Sequence, residues 1–167
     1  VVDALPKAIL LRPSVLFGPD DAFLSALVRL TRLPVVPLFG RGETRLQPVH
    51  VDDVARAAVR LSGPRPLERR LFELGGPERL TYRRILEQVL AHLACRRPLL
   101  PVPFFLWRLA ALLLAPLPSP PLTRDQVILM QQDTLVGEDV GTFAELGIVP
   151  RTLLDSLPAC LGTAAHR

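Results

Sequence analysis

Three histidines, two cysteines and one tyrosine are the side chains of this sequence suited to acid–base or nucleophilic work, and their spacing decides what they can do. His50 stands just ahead of Asp52 and Asp53, an order in which a carboxylate could orient an imidazole for proton transfer. A carboxylate at the start of a helix is far more often a cap, so Asp52 or Asp53 is expected to cap the helix that follows. His92 falls on the polar face of a predicted helix and His166 lies in the tail, and both read as solvated side chains. Ser14 and Cys95 have no patterned base nearby, and the sequence contains no Gly-x-Ser-x-Gly elbow, so a hydrolase triad is unsupported. Cys95 and Cys160 lack metal-ligand spacing, which argues against a zinc site or disulfide framework and for a reducing compartment. Tyr82 would need a lysine four residues later to serve as a reductase acid. Leu86 stands there, the sole lysine is Lys7, and Tyr82 reads as a core residue.

Phosphate chemistry fares no better. Gly40-Arg41-Gly42-Glu43-Thr44-Arg45 has two glycines of a dinucleotide fingerprint, but Arg45 occupies the third glycine position and the segment reads as a turn. A GxxxxGK[ST] loop is absent, which removes P-loop and kinase readings. The 20 basic residues exceed the 16 acidic by only 4, too small an excess for a nucleic-acid binder. With 167 residues, 49% hydrophobic and 22% charged, the chain is about one domain with a sizeable core and is not disordered. It opens at Val1, and its only methionine is Met130, so a processed product or fragment is expected. No signal peptide is read at its start.

Eighteen prolines keep the positioning elements short. Ala8-Ile9-Leu10-Leu11 is apolar without alternation, the pattern of a central parallel strand with neighbours on both sides. Phe23, Leu24, Leu27, Val28 and Leu30 predict a helix capped by Asp20 or Asp21. Two short extended segments, 35–39 and 45–49, flank the Gly40–Gly42 turn, with Pro37 and Pro48 confining them to edges or irregular structure. Val54, Ala57, Ala58 and Leu61 share one side of a helix ending at Ser62-Gly63-Pro64. Leu71 to Leu74 reads as a strand, and Thr81 opens a helix whose apolar series runs from Tyr82 through Ile85, Leu86 and Val89. Thr123 with Gln126, and Thr142 with Glu145, have capping-box spacing and predict two further helices. Alternating strands and helices indicate α/β or α+β.

The stretch from Leu99 to Leu117 is almost wholly apolar, but prolines 101, 103 and 116 and the central Arg108 leave too few helical residues to span a bilayer. It is expected to be a helix that packs in the core, against a neighbouring subunit or on a membrane surface. Phe104, Trp107, Arg108 and Leu112 are the contact candidates, with the guanidinium of Arg108 reaching outward.

Four phrases occur in order: ILLRPSVLFGPDD (9–21), LPVVPLFGRGETRLQPVHVDDVARA (33–57), FELGGPERLTYRRIL (72–86) and PLTRDQVILMQQD (121–133). Together, over nearly the whole chain, they resemble the C-terminal half of extended and atypical short-chain dehydrogenases/reductases in the NAD-dependent epimerase/dehydratase group. The branch most similar contains the Rossmann-type accessory subunit of respiratory complex I and its bacterial relatives. The resemblance implies an α/β fold: the C-terminal part of a Rossmann-like parallel sheet, with cleft segments, over 1–75. A mainly helical, small mixed α/β substrate lobe would occupy 76–161, with a frayed tail at 162–167.

The resemblance further implies that Arg12, Pro13, Ser14 and Val15 form part of an NAD or NADP site, with Phe17 and Gly18 continuing that wall. Gln47, Val49 and His50 would line a substrate cleft. Arg45 lies near the place where epimerases hold a nucleotide-sugar phosphate but is offset by one, with Leu46 at the matching position, which argues against sugar-nucleotide chemistry. The family's glycine-rich loop, ribose selector and Tyr/Lys pair have no counterpart in this sequence, so the chain alone is expected neither to bind a dinucleotide tightly nor to transfer hydride.

Two functions are compatible with that resemblance. One is a non-catalytic accessory or assembly component of NADH:quinone oxidoreductase. It would be membrane-associated, on the matrix side of the mitochondrial inner membrane or the bacterial cytoplasmic side. Its partners would be neighbouring subunits, a missing N-terminal half and a membrane surface. The alternative is the substrate-binding half of a soluble, cytoplasmic NAD(P)-dependent reductase or epimerase.

Overall fold

A computed structural model describes residues 8–63, 69–116 and 122–162. The chain begins with β1 (Leu10–Pro13) and β2 (Leu16–Phe17), followed by α1 (Ala22–Thr31). Three short strands follow, β3 (Val36–Phe39), β4 (Arg45–Leu46) and β5 (Val49–His50), and the last runs directly into α2 (Val51–Ser62). Next come β6 (Leu71–Leu74), β7 (Leu80–Thr81), α3 (Tyr82–His92) and β8 (Leu99–Val102). Helices α4 (Phe104–Leu114), α5 (Arg124–Leu129) and α6 (Leu153–Leu161) complete the described chain.

The strands associate in pairs: β1–β6, β2–β5 and β3–β8 are parallel, and β4–β7 is antiparallel. Parallel pairing between strands separated by helices bears out the α/β expectation. Leu10 pairs with Leu71 and Pro13 with Leu74, so the first strand lies two residues later than its apolar run and takes in Arg12 and Pro13. Among the described residues β1 pairs with β6, and Arg12 and Pro13 are exposed. The strand with neighbours on both edges is β6, because Gly141 bridges to Phe72 on its other side. Pro37 and Pro48 fall as anticipated: β3 pairs on one side only, and Pro48 interrupts β4 and β5.

Helix starts follow local chemistry, with one substitution of roles. Asp21 caps α1, accepting from Leu24 N at 2.9 Å, and Thr81 caps α3. The cap of α2 is His50 rather than Asp52 or Asp53, since its Nδ1 accepts from Asp52 N at 3.1 Å and the helix already begins at Val51. Asp52 and Asp53 therefore fill the first turn, where negative charge complements the helix dipole. The Thr123–Gln126 capping box is complete. Thr142 and Glu145 open no helix: Leu146 N and Ile148 N both donate to Phe143 O, and Gly147 at φ +61 turns the chain away. The helix missed by that reading is α6, capped by Thr152, whose Oγ1 accepts from Asp155 N at 3.1 Å. His92 is not simply solvated, as its Nε2 lies 2.9 Å from Gly162 O beyond α6. Apart from Gly162, the tail, with His166, lies outside the described residues.

Two apolar cores result, and both draw on residues before and after position 75. The first gathers Phe17, Leu24, Leu27, Leu38, Ile85, Leu86 and Leu157 from α1, α3, α6 and the strands between them. The second joins Val49, Ala57 and Phe72 to Phe143, Leu146 and Ile148. Asp53 stands between the two with 0% exposure. Its Oδ2 accepts from Arg151 N at 2.8 Å, its Oδ1 from Arg56 Nη1 at 3.3 Å, and Arg151 Nε lies 3.5 Å from Oδ1. This carboxylate ties the start of α2 to the segment entering α6.

Removing it with Asp53→Ala would strand the Arg151 amide and uncouple those helices. The expected loss is about 2–3 kcal/mol, read as a lower urea midpoint, with Asp53→Asn losing less because it keeps an acceptor. A second test uses Tyr82, the sole tyrosine, whose phenol is pushed up by burial among the first-core residues. Its folded value lies above the unfolded one, so stability is full below about pH 10 and falls as pH rises beyond it. Phenolate absorbance is expected to appear only with alkaline unfolding, and Tyr82→Phe to flatten that part of the pH profile.

Candidate functional site

The carboxyl end of β1 places Arg12 and Pro13 at the surface and turns Ser14 and Val15 inward. Ser14 N donates to Leu74 O, and its Oγ donates to Thr134 O at 2.9 Å. Val15 O accepts from Val49 N at 2.9 Å. Arg12 Nη1 lies 3.9 Å from Glu73 Oε1, and the other carboxylate oxygen of Glu73 accepts from Gly137 N at 2.9 Å. The Arg12 side chain is 65% exposed and that of Glu73 22%, so the long contact leaves the guanidinium open to solvent. Phe17, at 1% exposure, belongs to the first core and contributes no open wall.

The three cleft candidates separate. Gln47 bridges two loops: its Nε2 donates to Gly76 O at 2.8 Å and its Oε1 accepts from Val136 N at 3.1 Å. It also lines a groove of about 510 Å³ with Glu73, Gly75, Val136 and Ile148. A Cβ at Gly76 would lie 1.9 Å from Pro48 O, so only glycine lets the loop after β6 approach this closely. Val49 and His50 do not reach that groove; they are buried at 0% and 3% exposure. Leu46 is likewise in the first core, whereas Arg45 is exposed and donates its N–H to Asp133 Oδ1. Sequence reasoning passed over Glu73 and the 136–150 segment as site residues. The only signal was the apolar-Glu-Leu-Gly-Gly phrase at 72–76, because the partner segment is brought alongside by tertiary folding alone.

His50 and Cys160 form the nearest approach to a nucleophile and base, with Sγ 4.0 Å from Nε2. The geometry is wrong for activation. Nδ1 accepts from Asp52 N and so carries no proton in the neutral ring; the proton is then on Nε2, which faces the sulfur and cannot take the thiol proton. Burial, then the charges of Asp21 and Asp52, push the thiol up, opposed only by Arg151. Cys160 is held as a thiol.

At the end of β1 the guanidinium of Arg12 is exposed, while the hydrogen-bonding groups of Ser14 are committed within the chain. No described helix N-terminus follows a glycine-rich turn that could hold a pyrophosphate, and the sole lysine has no tyrosine four residues before it.

The remaining candidates lie together on α4. Trp107 turns inward, its Nε1 donating to Leu38 O at 3.0 Å and its ring stacking on Phe39 at 4.4 Å between centroids. Phe104 covers Gly40, where a Cβ would come within 2.7 Å of the ring. Arg108 is exposed and donates to Gln131 Oε1 at 2.8 Å, and Leu112 stands 70% exposed. The helix is anchored on one side and open on the other, and no described helix is long and apolar enough to cross a membrane.

No family model matches the chain. It is 31% identical over 164 residues to the NADH dehydrogenase [ubiquinone] 1 alpha subcomplex subunit 9, mitochondrial, of Arabidopsis thaliana, covering 92% of this chain and 41% of that protein. The protein of the same name from Mus musculus is 27% identical over 155 residues, with the same coverage. The chain thus spans about two fifths of the length of these relatives. Among solved structures, a dTDP-glucose 4,6-dehydratase from Bacillus anthracis, crystallised in complex with NAD, superposes with a TM-score of 0.56. At 15% identity, over 98% of this chain and 45% of that one, the likeness is one of fold. The fold is accordingly that of part of the Rossmann-like epimerases and dehydratases, and in sequence the chain is similar over nearly its whole length to part of the alpha subcomplex subunit 9 proteins named above.

Proposed function

We propose that the chain serves as a non-catalytic, Rossmann-like accessory component of an NADH:quinone oxidoreductase of the complex I type. The observation that carries this reading is the 31% identity along 92% of the chain to a subunit named for that complex. The internal commitments of Ser14, Gln47 and His50 support a structural rather than a chemical use of the cleft. Arg12, Pro13, Ser14 and Val15 would then form one wall of an NAD or NADP site whose other walls come from a preceding segment or a neighbouring subunit. The unpaired edge of β1 is where such a segment would add. The outer face of α4, with Arg108 and Leu112, is the proposed contact with the membrane surface or an adjacent subunit. The site of action would be peripheral to the membrane that holds the complex, in mitochondria as for the relatives.

The test is native electrophoresis of membranes from the source cell carrying the tagged full-length protein. The tag is expected in the band that reduces a quinone with NADH, and deletion of the protein is expected to lower the yield of that band. A protein that migrates alone, and that reduces or epimerises a substrate with NAD(P)H when purified, would instead be the soluble enzyme.

A further inference from the structure

We propose that α4 and α5 together form a docking surface for anionic phospholipid, the groove between them taking an acyl chain and the arginines at its two ends taking headgroup phosphate. The inference rests on the membrane-complex reading above and names the chemistry of its contact face. Phe105, Leu109, Leu112 and Leu113 recur at i, i+4, i+7 and i+8 along α4 and stand 66%, 49%, 70% and 70% exposed. On α5, Leu129 is 63% and Ile128 42% exposed. Between the helices lies a groove of about 890 Å³ lined by Arg108, Ala111, Leu112, Ala115, Arg124 and Ile128, among others. The two alanines leave room where larger side chains would close the helices together.

Charge is placed only at the ends. Arg124 is the first residue of α5, whereas Arg108 reaches Gln131 just beyond that helix's carboxyl end. Six helical residues separate these termini by about 9 Å. Asp125 is the only acid on either helix, is exposed, and does not line the groove.

A protein partner is the less suitable occupant. Protein interfaces carry about one hydrogen bond per 100–200 Å² and favour tyrosine and tryptophan. Here Trp107 is turned into the body against Phe39, and the hydroxyl of Thr123, the only uncharged polar side chain lining the groove, is already used to cap α5. An aliphatic surface without open donors, bounded by guanidinium groups, matches hydrocarbon bounded by phosphate.

The experiment is flotation of the purified protein with vesicles of phosphatidylcholine alone or of phosphatidylcholine and phosphatidylglycerol in equal parts. Binding is expected to be about tenfold tighter to the anionic vesicles, with the difference shrinking as salt is added. Arg108→Gln combined with Arg124→Gln should bring the anionic vesicles down to the neutral level. Leu109→Glu with Leu112→Glu should abolish both, and circular dichroism should show each variant folded.

Equal binding to both vesicles, or no binding to either, would overturn the proposal. If the vesicles are not bound while the tagged protein still migrates with the complex, the docking surface falls and the accessory role stands. Vesicle binding without co-migration gives the converse.

Discussion

A carboxylate with none of its surface in water must be met by donors and positive charge, and the architecture around Asp53 follows from that requirement. The Arg151 amide and two guanidinium groups meet it, and they come from α2 itself and from the chain entering α6. Ala57 and Leu61 carry α2 into the second core, while Leu153 and Leu157 carry α6 into the first. One side chain therefore fixes how two small cores meet, neither of which would be large by itself. The strands alone could not do this, being two to four residues long and paired two by two.

The same economy explains the cleft. Gln47, in the groove, is spent holding loops, spanning from Gly76 to Val136, while Ser14 and His50 are buried outside it, Ser14 reaching Thr134 and His50 capping α2. A group whose hydrogen bonds are satisfied by its own backbone has little left to offer a transition state. Arg12 is the exception, since its contact with Glu73 is long, at 3.9 Å, and its own side chain is exposed.

Helix α4 shows how an apolar sequence is divided by its surroundings. Its inward side is pinned by the indole of Trp107 and by Phe104 over Gly40, a glycine at φ +58 that admits the ring. Its outward side stays open, and only Ala111 is buried. Composition could not separate these sides, because both are made of the same residue types.

Much of the local structure was legible from residue order. The caps at Asp21, Thr81 and Thr123, the strand at Leu71–Leu74, the core placement of Tyr82 and the turn at Gly40–Gly42 all follow from interactions within a few residues, which the sequence carries in full. What the order of residues could not specify was which distant segments would meet. The pairing of β1 with β6, the burial of Val49 and His50, the collapse of the Thr142 motif into a turn and the Asp53–Arg151 tie were decided only in three dimensions. Each depends on contacts across tens of residues, where the free energy of packing and of pairing a buried charge outweighs local preference.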